Sequence, residues 1–135
     1  MGGRILTDSN VPEGLRYAKS HEWVRLEGDV ATIGITDHAQ AELTDIVFVD
    51  APAVGTTVVR GGILLVLESV KTVADIYAPA DGTVAEPNGE LRAHPEWVNQ
   101  DPYGKGWLVR LRITGPLDPA LLDAAGYRAF LAGTG

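Results

Sequence analysis

The chain has 135 residues, of which 45% are apolar and 21% charged, with no cysteine and a formal net charge of −7. This composition indicates one globular domain that buries its core without disulfides or thiolate metal sites. The acidic balance argues against nucleic acid as a partner, and no apolar run has the length needed to span a bilayer.

The N-terminal segment "MGGRILTDSN" has too short an apolar run for a signal peptide. We therefore expect a single domain over residues 1–135 in which residues 1–10 are flexible. The missing presequence favours a cytoplasmic protein, although a processed protein of the mitochondrial matrix would have a similar sequence.

The next elements are predicted as a hairpin, a helix and a strand. "HEWVRLEGDVATIGI" alternates as a β-hairpin does, with its turn at residues 27–29. "TDHAQAEL" predicts a short helix capped by Thr36 or Asp37. "DIVFVD" is typical of a compact strand, and the breakers that follow end it.

The central region contains a weak internal repeat. "GTTVVRGG" (55–62) and "GTVAEPNG" (82–89) share a Gly-Thr start and a glycine turn, which indicates two similar strand–turn units. Between them, strand signals end around Glu68 and resume around Val73. The sequence therefore predicts a β-hairpin with "SVKT" at its tip.

The C-terminal third predicts a loop, a strand and a helix. "HPEWVNQDPYGKG" is loop-like, whereas "WLVRLRI" alternates strictly and is typical of a half-buried strand. Asp118 as N-cap and Pro119 at the first helical position predict a C-terminal helix over residues 118–132. Its apolar face would include Ala125.

Lys71 is one of three lysines and lies at the predicted hairpin tip. A reactive lysine usually needs burial or a neighbouring cation to lower its pKa, and a tip residue has neither. Exposure suits either a solubilising charge or a side chain that another enzyme modifies.

The remaining candidate chemistry is weak. The three histidines, His21, His38 and His94, have no metal-ligand spacing, so we predict no metal site. Ser20, His21 and Glu22 suggest a catalytic triad, but neighbours on a strand point to opposite faces. We therefore predict no catalytic residue.

The chain contains a series of long, specific blocks: "YAKSHEWV", "VATIGITDHAQAEL", "DIVFV", "PAVGTTV", "ESVKT", "APADGTV" and "VNQDPYGKGWL". In order and spacing these blocks resemble those of the glycine cleavage system H proteins, which belong to the lipoyl-carrier family. The resemblance implies a mostly β, barrel-sandwich hybrid fold like that of lipoyl domains, with short peripheral helices and a C-terminal helix.

The resemblance also implies site residues. Lys71 would carry lipoate through an amide at Nζ, and Glu68, Ser69 and Val70 would present it to the modifying enzyme. Ser20, Glu22 and Asp75 would lie near a cleft that shelters the loaded arm, although Ser20 and Asp75 are equally consistent with ordinary capping or turn formation. Glu22 would pair with the ammonium of the aminomethyl group.

The function implied is that of a carrier and not of an enzyme. A pyridoxal-phosphate glycine decarboxylase (P protein) would load an aminomethyl group onto the lipoyl arm for a tetrahydrofolate-dependent aminomethyltransferase (T protein). A dihydrolipoamide dehydrogenase (L protein) would reoxidise the dithiol, and a lipoate ligase or lipoyl/octanoyl transferase would attach the cofactor. No nucleic acid or membrane partner is expected.

Three alternatives are also compatible with the sequence. A lipoyl relay that donates lipoate to 2-oxoacid dehydrogenases would use the same lysine. A biotin carrier would share the fold, but biotin carriers usually place their lysine between methionines, whereas Val70 and Thr72 flank Lys71. A lysine-dependent enzyme would use Lys71 unmodified.

Overall fold

The computed structural model describes residues 9–133, and nine strands in this part of the chain form two antiparallel sheets. The larger sheet has the order β1-β2-β3-β9-β8-β5, and the smaller has the order β4-β6-β7. The strands are β1 (Arg16–Tyr17), β2 (Glu22–Glu27), β3 (Val30–Ile35), β4 (Ile46–Asp50), β5 (Thr57–Val58), β6 (Ile63–Ser69), β7 (Val73–Tyr77), β8 (Gly82–Pro87) and β9 (Val109–Ile113). The two sheets do not close into a barrel, and the mostly β prediction is confirmed.

The β2–β3 hairpin forms where the sequence predicts it. Trp23 pairs with Gly34 across the two strands. A Cβ at Gly34 would lie only 2.5 Å from the Trp23 indole, so the flat ring occupies the space that a side chain at residue 34 would need. The indole nitrogen donates to the Pro102 carbonyl at 3.0 Å. Glycine at residue 34 is therefore required by packing.

The two halves of the internal repeat pair with each other. Thr57 of β5 lies opposite Thr83 of β8, and Val58 lies opposite Gly82. Between them in the chain, β6 and β7 form a hairpin of the smaller sheet. This hairpin projects residues 70–72 as its connecting turn.

The core formed by residues 9–133 has two clusters. The larger lies among the strands and includes Ile33, Leu67, Val84 and Leu111, all nearly fully buried. The smaller packs the C-terminal helix against the start of the larger sheet. Its aromatic members Tyr17, Trp23 and Tyr127 are completely buried, and we refer to these three as the aromatic junction.

Three α-helices lie at the periphery of the described chain, with a 3₁₀ turn at Gly89–Arg92. They are α1 (Asp37–Leu43), α2 (Trp97–Gln100) and α3 (Ala124–Leu131). The Thr36 side chain caps α1 by accepting from Ala39 N, as predicted. None of the helices within residues 9–133 has the length and apolarity to cross a bilayer.

The C-terminal helix starts later than predicted. Leu122 exchanges backbone hydrogen bonds with Tyr17, and this bridge holds the chain extended up to that residue. Asp118 instead accepts from Ala120 N in a local turn, and Asp123 is the residue that caps α3. The assignment of Asp118 as N-cap was therefore wrong.

The buried face of α3 also differs from the predicted one, because the later start shifts its register. Ala124, Tyr127 and Leu131 are buried, whereas Ala125 is exposed.

Most of the predicted flexible tail, residues 1–8, lies outside the described residues. Asn10, the last residue of that segment, is held at both backbone groups. Its N–H donates to the Asp37 carboxylate at 2.9 Å, and its carbonyl accepts from the Tyr103 hydroxyl at 2.7 Å. The chain is therefore tied at this residue to the start of α1 and to the loop that precedes β9.

Candidate functional site

The tip of the β6–β7 hairpin, residues 69–72, is built by the side chain of Ser69. Its hydroxyl accepts from the backbone N–H of Lys71 at 3.2 Å and of Thr72 at 3.0 Å. The same hydroxyl donates to the Thr72 carbonyl at 3.1 Å. A serine that satisfies its own turn in this way fixes the backbone from which Lys71 projects.

The surroundings of Lys71 are exposed and partly apolar. Lys71 itself is exposed, and its Nζ donates to the Glu42 carbonyl at 3.3 Å. The side chains of Val70 and Val73 are 69% and 61% exposed. Glu68, on β6, is also exposed. The tip therefore offers one primary amine, flanked by apolar side chains and a carboxylate, to any docking enzyme.

Glu22 lies at the start of β2 and is 2% exposed. Its carboxylate accepts from the Ser20 hydroxyl at one oxygen and from the Tyr77 N–H, at 3.0 Å, at the other. Burial raises the pKa of Glu22, and the bonds from Ser20 and Tyr77 oppose that rise in part. Glu22 therefore fastens the segment before β2 to the end of β7.

Ser20 lines both of the surface grooves that contain one of the two predicted carboxylates. One groove, of about 340 Å³, we call the Glu22 groove; its lining includes Ala18, Ser20, Glu22, Tyr77, Asp118 and Leu121. The other, of about 120 Å³, we call the Asp75 groove; its lining includes Ser20, His21, Ala39, Glu42, Asp75 and Ile76. The structure therefore places Ser20 beside both predicted carboxylates, but the two carboxylates line different grooves.

The Asp75 groove is the one adjacent to Lys71. Glu42 lines it, and the carbonyl of that residue accepts from Lys71 Nζ. Asp75 is exposed on β7, and no hydrogen bond or ion pair to residues 9–133 engages its carboxylate. Its charge is therefore available to a cation in the groove, whereas both oxygens of Glu22 already have partners.

His21 is a functional candidate whose surroundings the sequence did not predict. Its φ is 77°, in the left-handed region that few residues other than glycine adopt. Its Nδ1 lies 2.7 Å from the Tyr127 hydroxyl, which in turn lies 2.8 Å from Thr36 Oγ1. Burial lowers the pKa of His21, and neighbouring His38 adds to that effect.

The spacing of the three histidines in the sequence suggested that they lie apart, but two of them are close together in the structure. The ring centroids of His21 and His38 are 4.7 Å apart. Potential ligand atoms of His21, His38 and Glu42 all lie within 4.8 Å of one another. His94 lies elsewhere, stacked on Trp97. The four-residue spacing of His38 and Glu42 on a helix was a readable signal, but the approach of His21 was not.

The hydrogen bonds of Ser20 and His21, which lie in the turn before β2, do not form a catalytic triad. Ser20 donates to Glu22, whereas His21 pairs with Tyr127. Among the hydrogen bonds of residues 9–133, none joins the Ser20 hydroxyl to the imidazole that would have to act as its base.

Comparison with known proteins agrees with the resemblance drawn from the sequence blocks. The family model described as Glycine cleavage H-protein matches residues 15–133. A glycine cleavage system H protein from Opitutus terrae is 53% identical over 125 residues, which cover 91% of this chain and 98% of that protein. One from Symbiobacterium thermophilum is 50% identical over 123 residues, which cover 90% and 96%.

A solved structure gives the same result. The crystal structure of a glycine cleavage system H protein from Mycobacterium marinum superposes with a TM-score of 0.82 at 37% sequence identity. The match covers 91% of this chain and 99% of that one. The arrangement of sheets and helices is therefore shared along nearly the whole chain.

Proposed function

The chain belongs to the glycine cleavage H-protein family, the non-catalytic lipoyl carrier of glycine cleavage, and from this premise we propose that Lys71 is the residue that carries lipoate. The observation that carries the proposal is the position of Lys71 at an exposed turn whose backbone Ser69 holds by three hydrogen bonds. The cofactor would join Nζ through an amide. The redox sulfurs would then belong to the cofactor, in keeping with a chain that has no cysteine.

The residues before Lys71 have separate roles in this proposal. Ser69 shapes the turn, and Val70 offers an exposed apolar contact to the lipoate ligase or lipoyl/octanoyl transferase. Glu68 adds an exposed charge at the same edge. A modifying enzyme would thus recognise a fixed backbone shape together with its side chains.

We assign the Asp75 groove as the shelter for the loaded arm. An aminomethyl group on sulfur hydrolyses in water, so a groove that limits water access protects it. Asp75 would pair with the ammonium, because its carboxylate is exposed and without a partner among residues 9–133. Ser20 would border the arm, and Glu22 would hold Ser20 in place. This assignment moves the ammonium contact from Glu22 to Asp75.

The partners follow from the family. A glycine decarboxylase would load the arm, a tetrahydrofolate-dependent aminomethyltransferase would unload it, and a dihydrolipoamide dehydrogenase would reoxidise the dithiol. The chain would contribute tethering, since an arm on a fixed turn raises the local concentration of the dithiol at each docked active site. We propose the cytoplasm as the compartment.

Intact mass after co-expression with a lipoate ligase tests the attachment site. We expect a lipoyl increment in the wild type, none in Lys71→Arg, and an unchanged increment in the matched controls Lys19→Arg and Lys105→Arg. An increment that survives in Lys71→Arg would overturn the proposal. A biotin increment in the wild type would instead favour the biotin carrier, which the family assignment argues against.

A further inference from the structure

We propose that His21, His38 and Glu42 form a binding site for a divalent transition metal ion of the type that imidazole ligands prefer, such as Zn²⁺. The site requires neither the lipoyl arm nor any partner enzyme. It rests on three side chains that packing brings together from the segment before β2 and from α1.

The geometry is close to that of a three-ligand metal site. The potential ligand atoms lie within 4.8 Å of one another, and His38 Nε2 is 3.4 Å from a carboxylate oxygen of Glu42. Around a four-coordinate zinc ion, ligand atoms at 2.0–2.2 Å from the metal lie roughly 3.3–3.6 Å apart. The His38–Glu42 pair already has that separation. The other separations, at most 4.8 Å, would have to shorten by up to about 1.5 Å, which rotation of the exposed Glu42 side chain and small adjustments of the imidazole rings can supply.

The ligand set identifies the class of ion. Two imidazoles and one carboxylate suit zinc and its first-row neighbours, whereas calcium and magnesium prefer oxygen ligands throughout. The same combination leaves a coordination position open in catalytic zinc sites. Two of the three ligands, His21 and Glu42, also line the Asp75 groove, so the open position would face that groove.

The residues behind His21 orient it as a metal ligand requires. A metal-binding histidine commonly donates its other ring N–H to a fixed acceptor. Nδ1 of His21 lies 2.7 Å from the Tyr127 hydroxyl, which leaves Nε2 as the nitrogen for the ion. The Tyr127 hydroxyl is 2.8 Å from Thr36 Oγ1 and can donate to it while accepting from His21. Tyr127 is completely buried, so this orientation is held by the core.

Calorimetric titration of Zn²⁺ into the metal-free chain, without an affinity tag and in a non-coordinating buffer, tests the site. We expect one ion per chain. Glu42→Gln and His38→Ala should each weaken binding at least about tenfold, the low end of the cost of losing even an outer-shell partner. Because the Glu42 side chain is 64% exposed, the Glu42→Gln variant should fold normally.

The chain offers matched controls for His38→Ala and for a substitution of Tyr127. His94 forms a second His–Glu pair, with Nδ1 3.1 Å from Glu96, and His94→Ala should leave zinc affinity unchanged. Tyr127→Phe should weaken binding about 10–100-fold by freeing the His21 ring. Tyr17→Phe alters the ring stacked on Tyr127 and should leave zinc affinity unchanged.

A spectroscopic measurement identifies the ligands directly. Imidazole nitrogen shifts in NMR spectra should move for His21 and His38 on zinc addition, and those of His94 should not. The proposal is overturned if zinc does not bind saturably, if Glu42→Gln and His38→Ala bind it as tightly as the wild type, or if His94→Ala alone abolishes binding.

Discussion

The hairpin tip and the aromatic junction hold their shapes by opposite means. At the tip, one serine hydroxyl satisfies the local backbone, and Val70, Lys71 and Thr72 are exposed. At the junction, the rings of Tyr17 and Tyr127 stack at 4.7 Å with 9° between their planes, completely buried. The tip therefore contributes presentation and little burial, whereas the junction contributes stability through residues distant in the chain.

This difference shows which parts of a carrier protein can be exposed to solvent without loss of stability. A short turn held by the Ser69 hydroxyl and by the bond from the Val70 N–H to the Asp45 carbonyl can present a lysine without support from the core. The junction instead fastens α3 to β1 and, through the Tyr127 hydroxyl, reaches His21 at the edge of the Asp75 groove. Damage at the junction should therefore affect the whole fold, and damage at the tip should affect modification alone.

The largest change in the free energy of unfolding should come from Trp23→Ala. Trp23 has no exposed surface, and its indole both covers Gly34 and donates to the Pro102 carbonyl. Truncating a fully buried tryptophan costs about 3–5 kcal/mol in the free energy of unfolding, since it leaves a cavity and an unpaired carbonyl. Urea unfolding followed by circular dichroism measures this loss.

The matched change at the tip is Val70→Ala, which also removes apolar atoms. Because the Val70 side chain is 69% exposed, we expect a change within about 0.5 kcal/mol. Comparable losses for Trp23→Ala and Val70→Ala would show that the tip shares in the core, and the contrast between the two regions would fail.

The tip could be predicted from the sequence because its determinants are local. Strand-forming residues that end around Glu68 and resume around Val73 place Lys71 at a turn on local evidence alone. The junction could not, because His21 and Tyr127 are 106 residues apart. The same limit explains the wrong helix start, since the bridge between Leu122 and Tyr17 overrides the capping signal of Asp118.

The sequence also could not predict that Glu22 and Asp75 line different grooves. Family resemblance grouped both with Ser20, and each does lie beside Ser20. Which groove each carboxylate lines depends on how β2 and β7 approach each other through the Tyr77 N–H. No local pattern contains that information.

Glu22 should make the free energy of unfolding depend on pH, with a change intermediate in size between those of Trp23→Ala and the tip substitutions. Burial raises the pKa of Glu22 above its ordinary value of 4.5, so folding favours the uncharged carboxyl. The stability that this group contributes is fully present below pH 4.5 and is lost as the pH rises through the higher folded-state pKa. Glutamine resembles the protonated form and can bond both Ser20 and Tyr77.

We therefore expect the wild-type free energy of unfolding, relative to that of Glu22→Gln, to decrease as the pH rises above 4.5. Ser20→Ala should extend the decrease to higher pH, because the Ser20 hydrogen bond is one of the interactions that lower this pKa. Urea unfolding at intervals between pH 4 and pH 7 measures both. Parallel pH profiles for the wild type and Glu22→Gln would contradict the argument.

The smallest effect on stability should come from Lys71→Arg, the substitution that should abolish lipoylation. The only side-chain bond of Lys71 within residues 9–133 is the one from Nζ to the Glu42 carbonyl at 3.3 Å, in an exposed position. Arginine keeps the charge, and the turn depends on Ser69 instead. We expect a change within about 0.5 kcal/mol, as for surface substitutions generally, and the same for the control Lys105→Arg. A clear drop in Tm for Lys71→Arg alone would show that this lysine supports the hairpin, and the tip would then resemble the junction more than its exposure indicates.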